Sequence, residues 1–256
     1  MTSELPRTVD VAGISLHPLR FEQAVDWIVD RANRGDGGTV CTPNADYVVR
    51  QRHDAAFRQA ILQADVRVPD GMGVIYAARI ARRPLRSTVT GRLLLPAVAR
   101  IAAEREWTIA LYGAGPGVAA AAATVLSRRY PGLRIAAAIT PPGDLRIGSE
   151  VDNRAVRELH ESRARVLFVG LGAPKQELWM EAHRDELPGM VIVGVGAALD
   201  IVSGKFRTAP NWMTRVGLEW AFRLAQEPRR LAKRYLVDDP WIIYWAFRER
   251  WVHRSD

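Results

Sequence analysis

Seven short β-rich runs alternate with stretches of helical periodicity over the first two hundred residues, and this alternation restricts the chain to an α/β layer with a mostly parallel sheet. The runs are TVCTP (39–43), VRVP (66–69), STVTG (87–91), TIALYG (108–113), RIAAAI (134–139), RVLFVGLG (165–172) and MVIVGVG (190–196). Helical patterns occupy 18–34, 44–64, 71–83, 93–105, 116–129, 152–163 and 174–187. Several runs are apolar throughout, as strands covered on both faces must be. After Asp200 only helical spacing continues, at roughly 211–227, 228–236 and 240–252. The turn residues of SGKFRTAP place a boundary near 205–210, which divides the chain into a core over 1–207 and an appendage over 208–256.

Composition narrows the function classes. The single Cys41 excludes an internal disulfide framework and a cysteine-based zinc site. No Asp-x-Asp occurs and the five histidines lie far apart, so a metal-independent chemistry with no cofactor is expected. The N-terminus has neither a basic start nor an apolar core, so no signal peptide is expected. The longest charge-free stretch, Trp107–Ser127, is long enough to span a bilayer, but GAGPG at 113–117 would break it. A reducing cytoplasmic setting follows as the expectation. Residues 205–256 carry eleven Lys or Arg against six acids and hold five of the eight tryptophans, at 212, 220, 241, 245 and 251. Cations interleaved with Trp suit an anionic membrane surface. A basic helical subdomain with Trp in its core has the same composition.

In such sheets ligands bind beyond the carboxyl ends of the strands, and four segments fall there. The first is Thr42-Pro43-Asn44-Ala45-Asp46, whose polar groups suit a helix N-cap as well as a ligand. The second is Val68-Pro69-Asp70-Gly71-Met72-Gly73, where Asp70 either caps a helix or presents a carboxylate at a cleft mouth. Such a carboxylate serves as a general base when burial raises its pKa. The third, Gly113-Ala114-Gly115-Pro116-Gly117, offers backbone N–H groups to a phosphate or permits close packing. The fourth is Gly170-Leu171-Gly172-Ala173-Pro174-Lys175-Gln176-Glu177, a strand end, glycine turn and helix start with an added cation, which suits a diphosphate. In the appendage, EPRRLAKRY (227–235) and the Arg215, Glu219, Arg223 ladder are either solvated faces or guanidinium groups set for a diphosphate.

Taken together and in order, these blocks resemble the WecG/TagA/CpsF family of bacterial glycosyltransferases (glycosyltransferase family 26). The resemblance rests on TPN (42–44), VPDGMGV (68–74), VTG (89–91), LYGAGPGVA (111–119), YPGL (130–133), VGLGAPKQE (169–177), GVGAALD (194–200), the G-K-x-R-x-AP-x-W pattern (204–212) and GLEWAFRLAQEPRRLAKRYL (217–236). It covers essentially the whole chain. It implies a Rossmann-like core with a C-terminal helical appendage that docks to the membrane. It also implies transfer of a sugar, by default N-acetylmannosamine, from a UDP-sugar to a polyprenyl-diphosphate-linked acceptor for teichoic acid or exopolysaccharide synthesis. Self-association has precedent in the family. Asp70 matches the family's catalytic base, Thr42 and Gln176 its active-site Thr and Gln, and Arg223 and Arg230 its functional arginines. Asp200 matches a position near the nucleotide, and Lys233 occupies a third cationic position. Asn44, Gly71, Gly113, Gly115, Gly172, Lys175 and Glu177 complete the expected substrate-binding set. The chain departs from the family pattern twice: Thr88 replaces an Arg before VTG, and Arg92-Leu93 stands where Asp is usual. Both departures bear on the donor, and a UDP-hexose of the glucose type is the alternative.

The expected mechanism is direct displacement with inversion. Asp70 takes the acceptor's proton. The helix start at 172–176, Lys175, Arg223 and Arg230 meet the charge of the departing UDP. Other classes fit less well. An oxidoreductase rests on Gly113-x-Gly115 alone, without the acidic residue its cofactor needs. Nucleic-acid binding would use basic residues over a face, and no recognition module is visible. A membrane scaffold with a dead site conflicts with the presence of Asp70, Thr42, Lys175 and Gln176.

Overall fold

A computed structural model describes residues 5–83, 85, 87–210, 212–213 and 218–252, with the side chains of Arg230 and Val252 outside the description. Eight strands and twelve α-helices are described. The strands are β1 (Val9–Val11), β2 (Ile14–Leu16), β3 (Gly38–Cys41), β4 (Val66–Arg67), β5 (Thr108–Gly113), β6 (Arg134–Ile139), β7 (Val166–Gly170) and β8 (Val191–Gly194). The helices of the core are α1 (Phe21–Arg34), α2 (Ala45–Arg50), α3 (Ala55–Gln63), α4 (Met72–Ile80), α5 (Gly91–Glu104), α6 (Val118–Arg129), α7 (Glu150–Glu161), α8 (Lys175–His183) and α9 (Ala198–Val202). Three more follow: α10 (Glu219–Gln226), α11 (Pro228–Lys233), which runs into a π-helical turn at Arg234–Asp238, and α12 (Trp241–Val252).

Strands β3 to β8 form one six-stranded sheet in the order β4-β3-β8-β7-β5-β6, parallel throughout. Period-two alternation sends Ile109, Leu111, Val166 and Phe168 to one face, against α1, α5 and α6. The intervening Ala110, Tyr112, Leu167 and Val169 face α7 and α8. Both faces are therefore dry, which is why these strands are apolar at every position.

A buried polar knot fixes α8 against α7. Asp152, fully buried, accepts hydrogen bonds from Trp179 Nε1 at 2.7 Å and the Gly148 N–H at 2.8 Å. The two ring nitrogens of His183 lie 2.9 Å from Asp152 Oδ2 and 2.7 Å from Glu186 Oε1. A buried carboxylate left unpaired would be costly, so the knot sets where α8 begins and hence where Lys175 and Gln176 stand.

Two local expectations are corrected and one element is added. Residues 87–90 form no strand: the β-branched composition invites one, but Thr90 is the N-cap of α5 and Gly91 its first residue. Gly91 packs so closely on Val195 that a Cβ would sit 2.7 Å from its Cα, a tertiary constraint invisible to propensity. The helix expected over 44–64 is two, because Asp54 starts α3 as an N-cap and accepts from the Phe57 N–H at 2.9 Å. The antiparallel hairpin β1–β2 was not anticipated; its strands are three residues each.

That hairpin seeds a third apolar cluster beyond the sheet. Val11, Ile14 and Leu16 pack with Tyr47, Val74 and Ile75, and the cluster is completed by Ile242 and Ala246 of α12. Polar contacts tie the same place. The Ala12 N–H donates to Glu249 at 2.7 Å, and the Arg52 guanidinium lies 4.2 Å above the Trp245 ring. Of the five appendage tryptophans, Trp212, Trp220, Trp241 and Trp251 are exposed, whereas Trp245 is half-buried and packs against the third cluster. No helix among the described residues is long and apolar enough to cross a membrane.

Candidate active site

The strand order creates the cleft. From β5 the chain continues to β6 on one side, whereas from β7 it continues to β8 on the other, so their outgoing loops diverge and leave a crevice at the carboxyl ends. The glycine turns after β5 and β7 flank it. Gly113 and Gly170 are register partners, and a Cβ on Gly113 would lie 2.6 Å from the Gly170 carbonyl carbon. Gly113 is thus required for close packing and does not itself line the opening. The turn after β3, the loop before α4, the start of α9 and α10 with the π turn complete a cleft of about 930 Å³.

Thr42, Asn44, Asp70, Gly71, Gly115, Gly172, Lys175, Gln176, Asp200 and Arg223 all line this cleft. Thr42, at the end of β3, donates its hydroxyl to the Gly194 carbonyl at 3.3 Å. Asn44 is the N-cap of α2, accepting from the Asp46 N–H at 3.1 Å, and it also accepts from Arg234 at 3.0 Å. Gln176 is buried, accepts from the Gly196 N–H at 2.8 Å and donates to Glu177 at 2.6 Å. Lys175 donates to the Gly143 carbonyl at 3.0 Å. Asp200 pairs with Lys205 at 2.8 Å, and Lys205 Nζ lies over Gly115, 3.2 Å from where a Cβ would be. Lys205 therefore joins the cation set at the glycine turn; it was legible only as the lysine of the G-K-x-R block.

Asp70 is held by its backbone, whose N–H donates to the Pro43 carbonyl at 2.8 Å. Its carboxylate caps nothing: the N-cap of α4 is Gly71, at φ 87°, where glycine is favoured. No hydrogen bond from the described residues reaches that carboxylate. Burial pushes its pKa from 3.8 up to about 7, and Glu219 adds to the rise, while Arg223, Arg234 and Arg92 oppose it. The result is a carboxyl group poised near neutrality on the wall of an open crevice.

Other expected residues fall elsewhere. Glu177 is buried behind the cleft, where it accepts from the Tyr47 hydroxyl; burial pushes its pKa up to about 7, and the bonds from Tyr47 and Gln176 hold that rise back. Lys233 is exposed, pairs with Asp238 at 2.9 Å and does not line the cleft. Among the described side chains of that run, the cation that lines the cleft is Arg234, one residue on. It lies 3.6 Å from Asp239 and 3.9 Å from Asp46. Burial alone would lower its pKa, but these carboxylates more than offset that and hold the guanidinium charged. Arg234 opens the π turn that continues α11. The Arg230 side chain and Arg215 lie outside the described residues. Among the described residues no group of three or more His, Cys, Asp or Glu is arranged to hold a metal ion.

Comparison with known proteins places this arrangement. The family model described as the glycosyl transferase WecG/TagA/CpsF family matches residues 9–256. Similar proteins include an N-acetylglucosaminyldiphosphoundecaprenol N-acetyl-beta-D-mannosaminyltransferase of Bacillus spizizenii, 29% identical over 77% of this chain and 75% of that protein. A protein of the same description from Bacillus subtilis is 28% identical over 76% of this chain and 73% of its own length. One from Staphylococcus aureus is 28% identical over 88% of this chain and 87% of its own.

Proposed function

Because this chain belongs to the WecG/TagA/CpsF family of glycosyltransferases, we propose that it moves N-acetylmannosamine from its UDP form to a polyprenyl-diphosphate-linked N-acetylglucosamine, with inversion. The observation that carries this reading is the uncapped Asp70 carboxylate, with a pKa of about 7, in a cleft walled by Arg92, Arg223, Arg234, Lys175 and Lys205. The acceptor hydroxyl attacks the anomeric carbon and gives its proton to Asp70. The bond from that carbon to the diphosphate oxygen breaks on the opposite face, and UDP departs with the electron pair. Lys175 and Lys205, at the glycine turns, and Arg223, from α10, line the cleft that would hold the diphosphate. Fixed cations at a developing negative charge stabilise the transition state without reorganising. These side chains supply the charge that a metal supplies in other transferases.

The test is a donor screen with a synthetic N-acetylglucosaminyl diphospholipid, read by mass spectrometry with and without EDTA. The expected result is one added N-acetylhexosamine from UDP-N-acetylmannosamine, at a rate changed less than about twofold by EDTA, against the 100-fold or more that loss of one electrostatic donor costs. Absence of transfer from every UDP-sugar would overturn the reading. Loss in EDTA with recovery in manganese would overturn its metal-free part. A second reading has its own observation: Thr88 and Leu93, at the two departures from the family pattern, both line the cleft. Transfer of glucose in preference to N-acetylmannosamine would support it.

We also propose that the appendage rests on the inner face of the cell membrane. Trp212, Leu236, Val237, Trp241, Tyr244, Phe247 and Trp251 are large apolar side chains left exposed in the appendage, and α12 carries the last four of them together with Arg248 and Arg250. Each cation near an anionic leaflet contributes ~1 kcal/mol and interfacial Trp adds to it. The protein is expected to float with phosphatidylglycerol vesicles, to release in high salt, and to stay behind when Trp212, Trp241 and Trp251 are changed together to Ser. Truncation is the wrong test, because Ile242 and Ala246 belong to a buried cluster of the core.

A further inference from the structure

We infer that Arg92 and Glu219 form a latch that holds α10 against the core and thereby aims Arg223 at the reaction centre. The inference rests on the transferase reading for its consequence in catalysis, though not for the latch itself. Arg92 is the second residue of α5. A cation in the first turn opposes the helix dipole, so α5 gains nothing from it there. Instead Arg92 reaches out of its own helix. Its Nε lies 3.1 Å from Glu219 Oε1, and its terminal NH2 donates to Glu219 Oε2 at 3.1 Å. Both side chains are less than a third exposed, so this contact is screened less than a surface ion pair.

The helix that Glu219 opens has little else to fix it. No residue of α10 is buried. Among the described residues, its other polar and ring contacts run within the appendage or to the segment just before it: Gln226 exchanges hydrogen bonds with the Arg207 backbone, and the Trp220 ring meets Tyr235 edge-on at 6.2 Å. Ala221, Phe222 and Leu224 are half-buried and none is fully so, so apolar packing holds α10 only in part, and the Arg92–Glu219 contact ties its first turn to the core. Arg223 follows Glu219 by four residues, on the same helical face, and both line the cleft. Clamping the first fixes the direction of the second.

The latch also tunes the base. The charged and titratable groups that face Asp70 are Glu219 and Arg223 from α10, Arg92 from α5, Arg234 from the π turn and the Tyr47 hydroxyl from α2. Glu219 pushes the Asp70 pKa up, and Arg92, paired with Glu219, counters it. Removing Arg92 takes from Glu219 its partner among the described residues and from Asp70 a cation that opposes its pKa rise.

Three measurements on the full-length protein test this. In Arg92→Met, amide hydrogen exchange over 219–226 is expected to quicken while 241–252 stays as in the parent. The turnover number is expected to fall about 100-fold, the cost of displacing a catalytic group by about an ångström. The acidic limb of its pH profile is expected to move to higher pH. The exchanged pair Arg92→Glu with Glu219→Arg is expected to restore slow exchange in α10. Unchanged exchange over 219–226 in Arg92→Met, or a swapped pair no slower than the single variants, would overturn the latch. An unmoved acidic limb would overturn its effect on the base. A parent protein that transfers no sugar would sink the functional reading alone, since the exchange result needs no substrate.

Discussion

Replacing Asp70 by Asn is expected to lower turnover by about 100- to 10,000-fold, the span a positioned general base contributes, while making the folded protein more stable above pH 7. The two effects share one cause. Asp70 has a folded-state pKa of about 7 against an ordinary value of 3.8. A raised pKa means that the folded state holds a proton the unfolded chain releases near pH 4. The stability linked to that proton is complete below about pH 4 and is lost as pH rises through about 7. The base is thus strained in its working, ionised form, and Asn removes the strain with the activity. Melting curves of parent and variant are expected to converge at pH 4 and to separate in the variant's favour at pH 8. In the parent, turnover is expected to climb with pH to a plateau above about 7. Full turnover in the variant would remove Asp70 from the reaction.

Arg223→Ala is expected to reduce turnover by about 100- to 1,000-fold, as loss of one preorganised electrostatic donor does. Arg223 is half-buried on α10, lines the cleft and opposes the pKa rise of Asp70. Its loss therefore acts in two ways: departing UDP loses a cation, and the base loses a neighbour that keeps it ionised. The turnover number is expected to carry most of the loss, with the acidic limb moving to higher pH. Arg223→Lys is expected to recover only part, because a point ammonium does not reproduce a planar fork. Turnover equal to the parent's in Arg223→Ala would take the appendage out of the chemistry.

The sheet was legible because burial on both faces writes an unbroken apolar run, as at Val166–Gly170 and Val191–Gly194. That Asp70 lines the cleft was legible from its strand-to-helix turn together with the family resemblance, although the same letters fit an N-cap until Gly71 is seen to take that place. What was illegible depended on contacts distant in sequence. Thr88–Thr90 carry strand-forming residues, yet what happens there is decided by Gly91 meeting Val195. Arg234 was legible only as one of the cations of the EPRRLAKRY run, and the family resemblance favoured Lys233 in its stead; that Arg234 faces the cleft depends on Asn44, Asp46 and Asp239, two of them distant in sequence. Arg92 was noticed only as a departure from a pattern; its partner lies 127 positions away.

The meeting of the β1–β2 hairpin with α12 has a bearing on biosynthesis. A core that begins at Val11 and ends at Ala246 cannot close while its last contributor is still inside the ribosome. The sheet has every strand by Gly194 and can collapse earlier. A nascent polypeptide would thus carry a formed scaffold with an unfinished wall, and the enzyme would acquire its working crevice only once α12 has emerged from the ribosome.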